Sequence, residues 1–423
     1  MNTTAVVRFR VGASRRARDL RSQVGLLDLG EQAHAGRVSD REPARYHEVA
    51  AKSLLRRSVM VDPFFLGRFG SNLYRGCEHG CLYCDGRAER YYISNTFDRD
   101  IEVKSNALAL AERELALMRE PGFLFIGGGV CDAYQPAEAR YALARGLLQL
   151  CRERRVPVHV LSKSALVDRD FDVLAAINQE TRAVLSFSIA LCDERQRALF
   201  EPGAAPLKER WRLLRRARQA GFGTAVMAMP LLPGLSDQPD QIDALLTRAA
   251  EAGVDFVCVG GLTLRPGRQK DGFFAVLARE YPDLLPGYQK LYRDDRSSGA
   301  PDPRYSDRLY RRCRELQDRH NLPGRMPQRL FHGLLPSYTE LSVLLEHRGY
   351  ERKETGGLNG RLARAGQAVG AWARARLARV RGKNAFREVE SELSFLFRSQ
   401  RLCEIPDLEA AAIPDVEELL RSI

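Results

Sequence analysis

The sequence predicts an α/β fold: a partial (βα)6 barrel with an N-terminal extension and a mostly helical C-terminal region. Three observations carry that expectation. Between about residue 68 and residue 290, short β-rich runs alternate with helical patterns, and strands alternating with helices imply a parallel sheet. Six such units fit an open, incomplete barrel better than a closed one of eight strands. Composition agrees: 423 residues with 44% hydrophobic and 8% aromatic content suit a globular chain and argue against a wholly disordered one.

In chain order, the first 18 residues hold Arg8, Arg10, Arg15, Arg16 and Arg18 and no acid. Transit peptides share that composition, but a disordered basic arm is the plainer reading and is preferred. Residues 19–67 look weakly helical, so 1–67 is read as a basic extension, partly disordered or helical. The β-rich runs of the core, 68–290, are Ser71–Arg75, Phe123–Ile126, Val158–Leu161, Ala183–Ile189, Thr224–Met229 and Asp255–Val259. Helical patterns between them include Glu138–Glu153 and Leu207–Ala220. In such an architecture the residues just after each strand face the active site. From about residue 291 to residue 423 the pattern is helical. Within it, Thr355–Arg387 carries eight basic residues and no acid, with Leu362, Val369, Trp372, Leu377 and Val380 recurring at three- to seven-residue intervals. That reads as a basic amphipathic helix.

No run of about 18 apolar residues exists to span a membrane, and no h-region follows the N-terminus. Nine cysteines, three of them crowded together, are too few and too uneven for a secreted disulfide framework. A reducing, cytoplasmic location is expected.

The crowded segment runs Asn72-Leu73-Tyr74-Arg75-Gly76-Cys77-Glu78-His79-Gly80-Cys81-Leu82-Tyr83-Cys84-Asp85. Its spacing is C-x3-C-x2-C, directly after the first predicted strand. Thiolates suit iron–sulfur clusters and zinc. A closed zinc site wants four ligands, usually as two separated pairs; no second pair is present, and His79 is too near in sequence to serve comfortably. Three thiolates on one tight loop instead hold three irons of a cubane and leave the fourth open to a small molecule.

With an aromatic residue before the last cysteine, this segment resembles the signature of radical S-adenosylmethionine (SAM) enzymes. The wording around it is similar to one branch, the spore photoproduct lyase-like family, also labelled DNA repair photolyase-like. The likeness extends over about residues 70–290. It includes Gly127-Gly128-Gly129, Asp132-Ala133-Tyr134-Gln135-Pro136, Ser162-Lys163-Ser164, Glu201-Pro202-Gly203, Met229-Pro230-Leu231-Leu232-Pro233-Gly234 and Gly261-Leu262-Thr263-Leu264-Arg265. The resemblance implies a barrel of radical SAM type and a [4Fe-4S] cluster on Cys77, Cys81 and Cys84. It also implies S-adenosylmethionine at the open iron, cleaved reductively to a 5′-deoxyadenosyl radical that abstracts hydrogen. An external electron donor of flavodoxin or ferredoxin type follows from the same chemistry. Tyr83 is placed to pack on the adenine, Gly127, Gly128 and Gly129 to let backbone meet the methionyl amine, Lys163 to pair with the carboxylate, and Ser188 to contact the ribose. Each has an ordinary alternative in loop packing, a tight turn, a surface lysine or a satisfied core serine. Cys131, at the barrel mouth, is the candidate hydrogen-atom donor, with a small buried hydrophobe as its alternative. His79 and Asp85 read as hydrogen-bonding supports, and Asp132 and Tyr134 as residues facing the pocket.

Three substrate readings compete. The first is a radical enzyme acting on nucleic acid, such as a damaged pyrimidine in DNA. The second is a radical enzyme modifying a peptide, RNA or small metabolite. The third is a non-enzymatic metal-cluster protein binding nucleic acid. The net charge of +12 divides as +5 in residues 1–67, +2 in 68–290 and +5 in 291–423. A polyanion is therefore expected to be held by the flanks, a solvated basic face being the competing reading.

Overall fold

The computed structural model describes residues 43–58, 61–91, 96–127, 130–352, 360–380, 382 and 384–423. The basic arm expected in the first 18 residues lies outside them. Two short strands open the described chain, β1 (Arg45–Val49) and β2 (Leu55–Arg57), followed by β3 (Gly67–Ser71) and β4 (Tyr74–Arg75). β5 (Asp100–Lys104) leads into α1 (Ala107–Ala116). Strands and helices then alternate through β6 (Phe123–Ile126), α2 (Ala137–Tyr141), α3 (Leu143–Glu153), β7 (Val158–Ser162), α4 (Phe171–Glu180) and β8 (Ala183–Ser188). The alternation continues with α5 (Glu194–Phe200), α6 (Leu207–Gln219), β9 (Gly223–Leu231), α7 (Pro239–Glu251), β10 (Phe256–Gly261), α8 (Arg268–Glu280) and α9 (Leu285–Leu291). The remaining helices are α10 (Pro303–Arg319), α11 (Ser337–Glu351), α12 (Arg361–Leu377), α13 (Ala385–Arg398) and α14 (Ile413–Leu420). Among the described residues no helix is long and apolar enough to cross a membrane.

The main sheet has the order β10-β9-β8-β7-β6-β3-β2. Its strands from β3 to β10 run parallel, and β2 adds an antiparallel edge. This is the open six-unit barrel that the alternation predicts. A second sheet, β1-β5-β4, lies beside the start of the cysteine segment.

Side chains alternate across the main sheet, as the pleat requires. Leu124, Val158, Leu185, Val226 and Val257 face the helices that follow the strands, meeting Leu147, Leu174 and Leu214. Phe123, Leu161, Val184, Met227 and Phe256 face the other way, into a cluster with Leu341, Leu345, Val369, Trp372 and Leu393 from α11, α12 and α13. The C-terminal helices thus cover the second face of the sheet.

Four sequence expectations change here. Residues 19–67 look helical, yet their described part carries β1, β2 and the start of β3. The run Ser71–Arg75 is split: the first barrel strand is β3, and Tyr74–Arg75 pairs with β5 in the second sheet. The helix expected over Glu138–Glu153 breaks at Ala142, whose φ is 50°. The buried Glu138 carboxylate accounts for the break, because it caps the restarted helix by accepting Ala144 N at 2.9 Å and Arg145 N at 3.3 Å. Finally, the apolar face of α12 is core, and several of its arginines have acidic partners: Arg361 with Asp415 at 3.1 Å, Arg364 with Glu409 at 2.8 Å and Arg376 with Glu392 at 2.8 Å. At these three positions the basic face is bound to the protein itself.

Truncating Trp372, which is 5% exposed, tests that packing. Trp372→Ala is expected to lower unfolding stability by about 3–5 kcal/mol in urea titrations. A loss under about 1 kcal/mol would mean that α12 does not seat on the sheet.

Candidate functional site

The cysteine loop leaves β4 and folds as tight turns. Gly80 N donates to Cys77 O at 3.1 Å, Cys84 N to Cys81 O at 3.2 Å and Arg87 N to Cys84 O at 3.1 Å. The rest of its backbone is held from outside. The fully buried Gln135 accepts Glu78 N at 2.9 Å and donates to Gly76 O at 3.1 Å. Arg87 donates to Cys81 O at 2.9 Å and Gly80 O at 3.0 Å. Gln269 of α8 donates to Tyr83 O at 3.0 Å. Leu82 N reaches Phe200 O and Gly203 N reaches His79 O, each at 2.9 Å. Gly203 has to be glycine: a Cβ there would lie 2.3 Å from Glu78 O.

Cys77 and Cys81 are buried and Cys84 is half-buried. Burial pushes all three thiols up, Cys81 to about 12. The Lys163 charge opposes this at Cys81 and Cys84. Among the described residues, no group of three or more His, Cys, Asp or Glu side chains is placed to hold a single metal ion. The donor set itself fits an iron–sulfur cluster: soft thiols, three in number, on a loop whose shape other groups maintain.

Four of the remaining sequence candidates, Gly127, Lys163, Tyr83 and Ser188, are placed by the structure. Gly127 ends β6 with φ 115°, and a Cβ would sit 2.0 Å from Leu161 O, so the backbone of β7 approaches where a side chain would be. Gly128 and Gly129 lie outside the described residues. Lys163 follows β7, and its Nζ lies 5.8 Å from the centre of the Tyr83 ring, a cation–π distance. The Tyr83 hydroxyl donates to Glu201. Glu201 also pairs with Arg210 at 2.6 Å, and both are essentially unexposed. Arg210 continues to Ser188 O and Ala205 O, each at 2.8 Å. The Ser188 hydroxyl donates to Met229 O at 3.1 Å. Burial alone pushes the Glu201 carboxyl up, but the Arg210 and Lys163 charges and the Tyr83 hydroxyl bring it below the usual range. Tyr83, Lys163 and Ser188 are thereby tied into one buried network.

Asp132 joins the loop after β6 to the end of β7. It accepts Ser162 Oγ at 2.9 Å, Lys163 N at 2.8 Å and Tyr134 N at 2.8 Å, and lies 3.4 Å from His79. Burial holds His79 below its ordinary value. Asp85 is bound by Arg265 at 2.7 Å and by the Tyr91 hydroxyl at 2.5 Å. Tyr134 is wholly buried. Cys131 is also buried, its Sγ–H directed at Tyr74 O at 3.2 Å. Burial pushes its thiol up to about 12, with the Asp132 and Cys84 charges adding to it.

Sequence reasoning assigned no role to Gln135, Glu201, Gly203, Arg210 or Gln269. A signal was present for three of them, since Gln135, Glu201 and Gly203 stand inside quoted motifs. Arg210 and Gln269 carry no local mark, because their partners are distant in the chain.

The model of the Radical SAM superfamily matches residues 71–246. An uncharacterized protein of Mycobacterium tuberculosis is 34% identical over 288 residues, covering 66% of this chain and 82% of that protein. An uncharacterized protein of Acidianus two-tailed virus is 27% identical over 204 residues, covering 44% of this chain and 64% of that one. Among solved structures, spore photoproduct lyase complexed with dinucleoside spore photoproduct shares the fold, with a TM-score of 0.50 at 14% identity, over 66% of this chain and 80% of that one.

Removing one member of the buried pair exposes its importance. Arg210→Met leaves Glu201 without its cation and is expected to cost about 3–5 kcal/mol in urea unfolding. A cost near zero would show that solvent reaches Glu201.

Proposed function

Because the chain belongs to the radical SAM superfamily, we propose that Cys77, Cys81 and Cys84 hold a [4Fe-4S] cluster and that S-adenosylmethionine binds beside it. The supporting observation is the cysteine loop, whose backbone is held by other elements, while of its three thiols only that of Cys84 takes part in a hydrogen bond, accepting Gly86 N at 3.4 Å. When bound, the cluster and S-adenosylmethionine supply an electron and a 5′-deoxyadenosyl radical that takes a hydrogen atom from substrate. The electron comes from an external donor of flavodoxin or ferredoxin type.

The protein's own part is position. Lys163 offers its ammonium to the methionyl carboxylate, and the Gly127–Gly129 backbone meets the methionyl amine. Tyr83 packs near the adenine, its hydroxyl anchored on Glu201 so that the ring cannot swing. Ser188 has committed its proton to Met229 O, so it acts as acceptor for a ribose hydroxyl. Cys131 is the hydrogen-atom donor in this reading.

For the substrate we infer a nucleobase lesion in DNA, in the manner of a spore photoproduct lyase-like enzyme. Support comes from the shared fold with spore photoproduct lyase, whose solved complex holds a dinucleoside spore photoproduct, and from the net charge of +12. A base would leave its stack to reach the site.

Anaerobic reconstitution is expected to give about four irons per chain and, with reductant, 5′-deoxyadenosine. Cys81→Ser should lose both, whereas zinc uptake without 5′-deoxyadenosine would overturn the assignment. Ultraviolet-irradiated DNA should accelerate turnover and lose its lesions; undiminished lesions would direct the search to peptide, RNA or metabolite substrates. Cys131→Ala is expected to keep 5′-deoxyadenosine formation but change the product distribution, and an unchanged distribution would remove its donor role.

A further inference from the structure

The inner face of the main sheet is closed along most of its strands and uncovered near their ends. Phe123, Met227 and Cys258 point inward from β6, β9 and β10 and are fully buried in the cluster formed with α11, α12 and α13. Two residues further along each strand, toward the cysteine loop, stand Phe125, Met229 and Gly260, and all three are half-buried. Their outward-facing neighbours Ile126, Ala228 and Val259 stay buried, so only the inner face is uncovered at this level. Gly260 shares that face with Met229, because an added Cβ would lie 3.0 Å from the Met229 Cβ. Gly70 of β3 stands beside Phe125 in register. It is half-buried, and no atom of another residue lies within 4 Å of where its Cβ would be.

A ring from the segment before β3 completes this wall. Phe65 stacks on Phe125, with ring centres 4.7 Å apart and planes inclined by 30°, and it too is half-buried. Its backbone is pinned at both ends of the residue. Phe65 N donates to Asp62 Oδ1 at 3.1 Å, and Phe65 O lies 2.8 Å from His159 Nδ1. A carbonyl only accepts, so Nδ1 carries the His159 proton and Nε2 accepts the Ser186 hydroxyl at 2.7 Å. Burial brings His159 down to about 4, so the imidazole that meets Phe125 edge-on at 5.3 Å is neutral. Phe65, Phe125 and Met229, with Gly70 and Gly260 leaving room, therefore make an aromatic wall without charge.

The wall adjoins the residues proposed to receive the cofactor. Gly127 follows Phe125 by two residues, and Met229 O accepts the Ser188 hydroxyl at 3.1 Å. A molecule resting on this wall would be next to both. Chemistry that moves a hydrogen atom needs such closeness between the reacting groups.

We propose that the Phe65–Phe125 pair is the stacking surface for a flat, uncharged ring of the substrate, a nucleobase, received in the space beside Gly70. The inference rests on the nucleic-acid reading above and assigns its base a place. Every base offers a π-face to an aromatic side chain. A charged side chain of a peptide would instead lose its hydration against a wall that returns no partner.

The test is binding of a fluorescein-labelled, ultraviolet-irradiated single strand of thymidylates to the reconstituted full chain, read by fluorescence anisotropy. Raised salt suppresses the contribution of phosphate contacts. Phe65→Leu and Phe125→Leu keep apolar bulk but remove a ring, and each is expected to weaken binding about tenfold. Gly70→Val fills the open space with a residue suited to a strand. It is expected to weaken binding as much without lowering the thermal midpoint, which keeps the test decisive where a ring variant unfolds. Equal affinity in the parent chain and in Gly70→Val overturns the stacking surface and leaves the nucleic-acid reading standing. A parent chain that does not bind the strand overturns both.

Discussion

Among the described residues the three cysteine side chains of Cys77–Cys84 add one hydrogen bond to their segment, Gly86 N to Cys84 Sγ at 3.4 Å, so its shape depends on how its backbone is held. Every other feature of the site follows from that constraint in Cys77–Cys84. The hydrogen bonds that define the loop come from Gln135 after β6, from Gly203 after α5 and from Gln269 on α8. Each of those groups is itself fixed by a different strand–helix unit. The barrel therefore acts as a frame that closes on the loop from several directions, and local turn propensity alone would leave the thiols without a common orientation. Gly203 shows how close that approach is, with no room for a methyl group against Glu78 O.

The buried Glu201–Arg210 pair extends the same logic from the loop to the sheet. Two charges removed from water are costly unless their remaining lone pairs and protons are matched. Here Glu201 also accepts the Tyr83 hydroxyl, while Arg210 also reaches Ser188 O and Ala205 O. The network connects the aromatic residue of the cysteine motif to the end of β8. A hydrophobic pair of equal volume could fill that space, but it could not specify where the Tyr83 hydroxyl and the Ser188 carbonyl sit.

What was legible in the chain and what was not divides along sequence distance. β6 to β10 were legible because strands buried on both faces read as short apolar runs. β3 was missed since Gly67 and Gly70 interrupt its pattern, and the break at Ala142 was missed because its cause is a cap from Glu138 and not a local helix breaker. The cysteine motif was legible because its cysteines are neighbours in sequence. Its supports were not: Gln135 lies 57 residues from Glu78 and Gln269 lies 186 from Tyr83. Only the fold states those pairings.

The same distance effect governs the charge. Thr355–Arg387 contains no acid and so looks like a surface awaiting a polyanion, yet Asp415, Glu409 and Glu392 supply partners from later helices. Some of these carboxylates serve more than one guanidinium. Asp415 is approached by Arg348 at 3.6 Å, Arg352 at 2.6 Å and Arg361 at 3.1 Å, and Glu120 by Arg57 and Arg68. Arg348 has a second carboxylate in Glu418 at 2.9 Å. In the described C-terminal region, then, the basic run of the sequence is not a continuous stripe on the fold, because Arg361, Arg364 and Arg376 are tied to carboxylates of later helices.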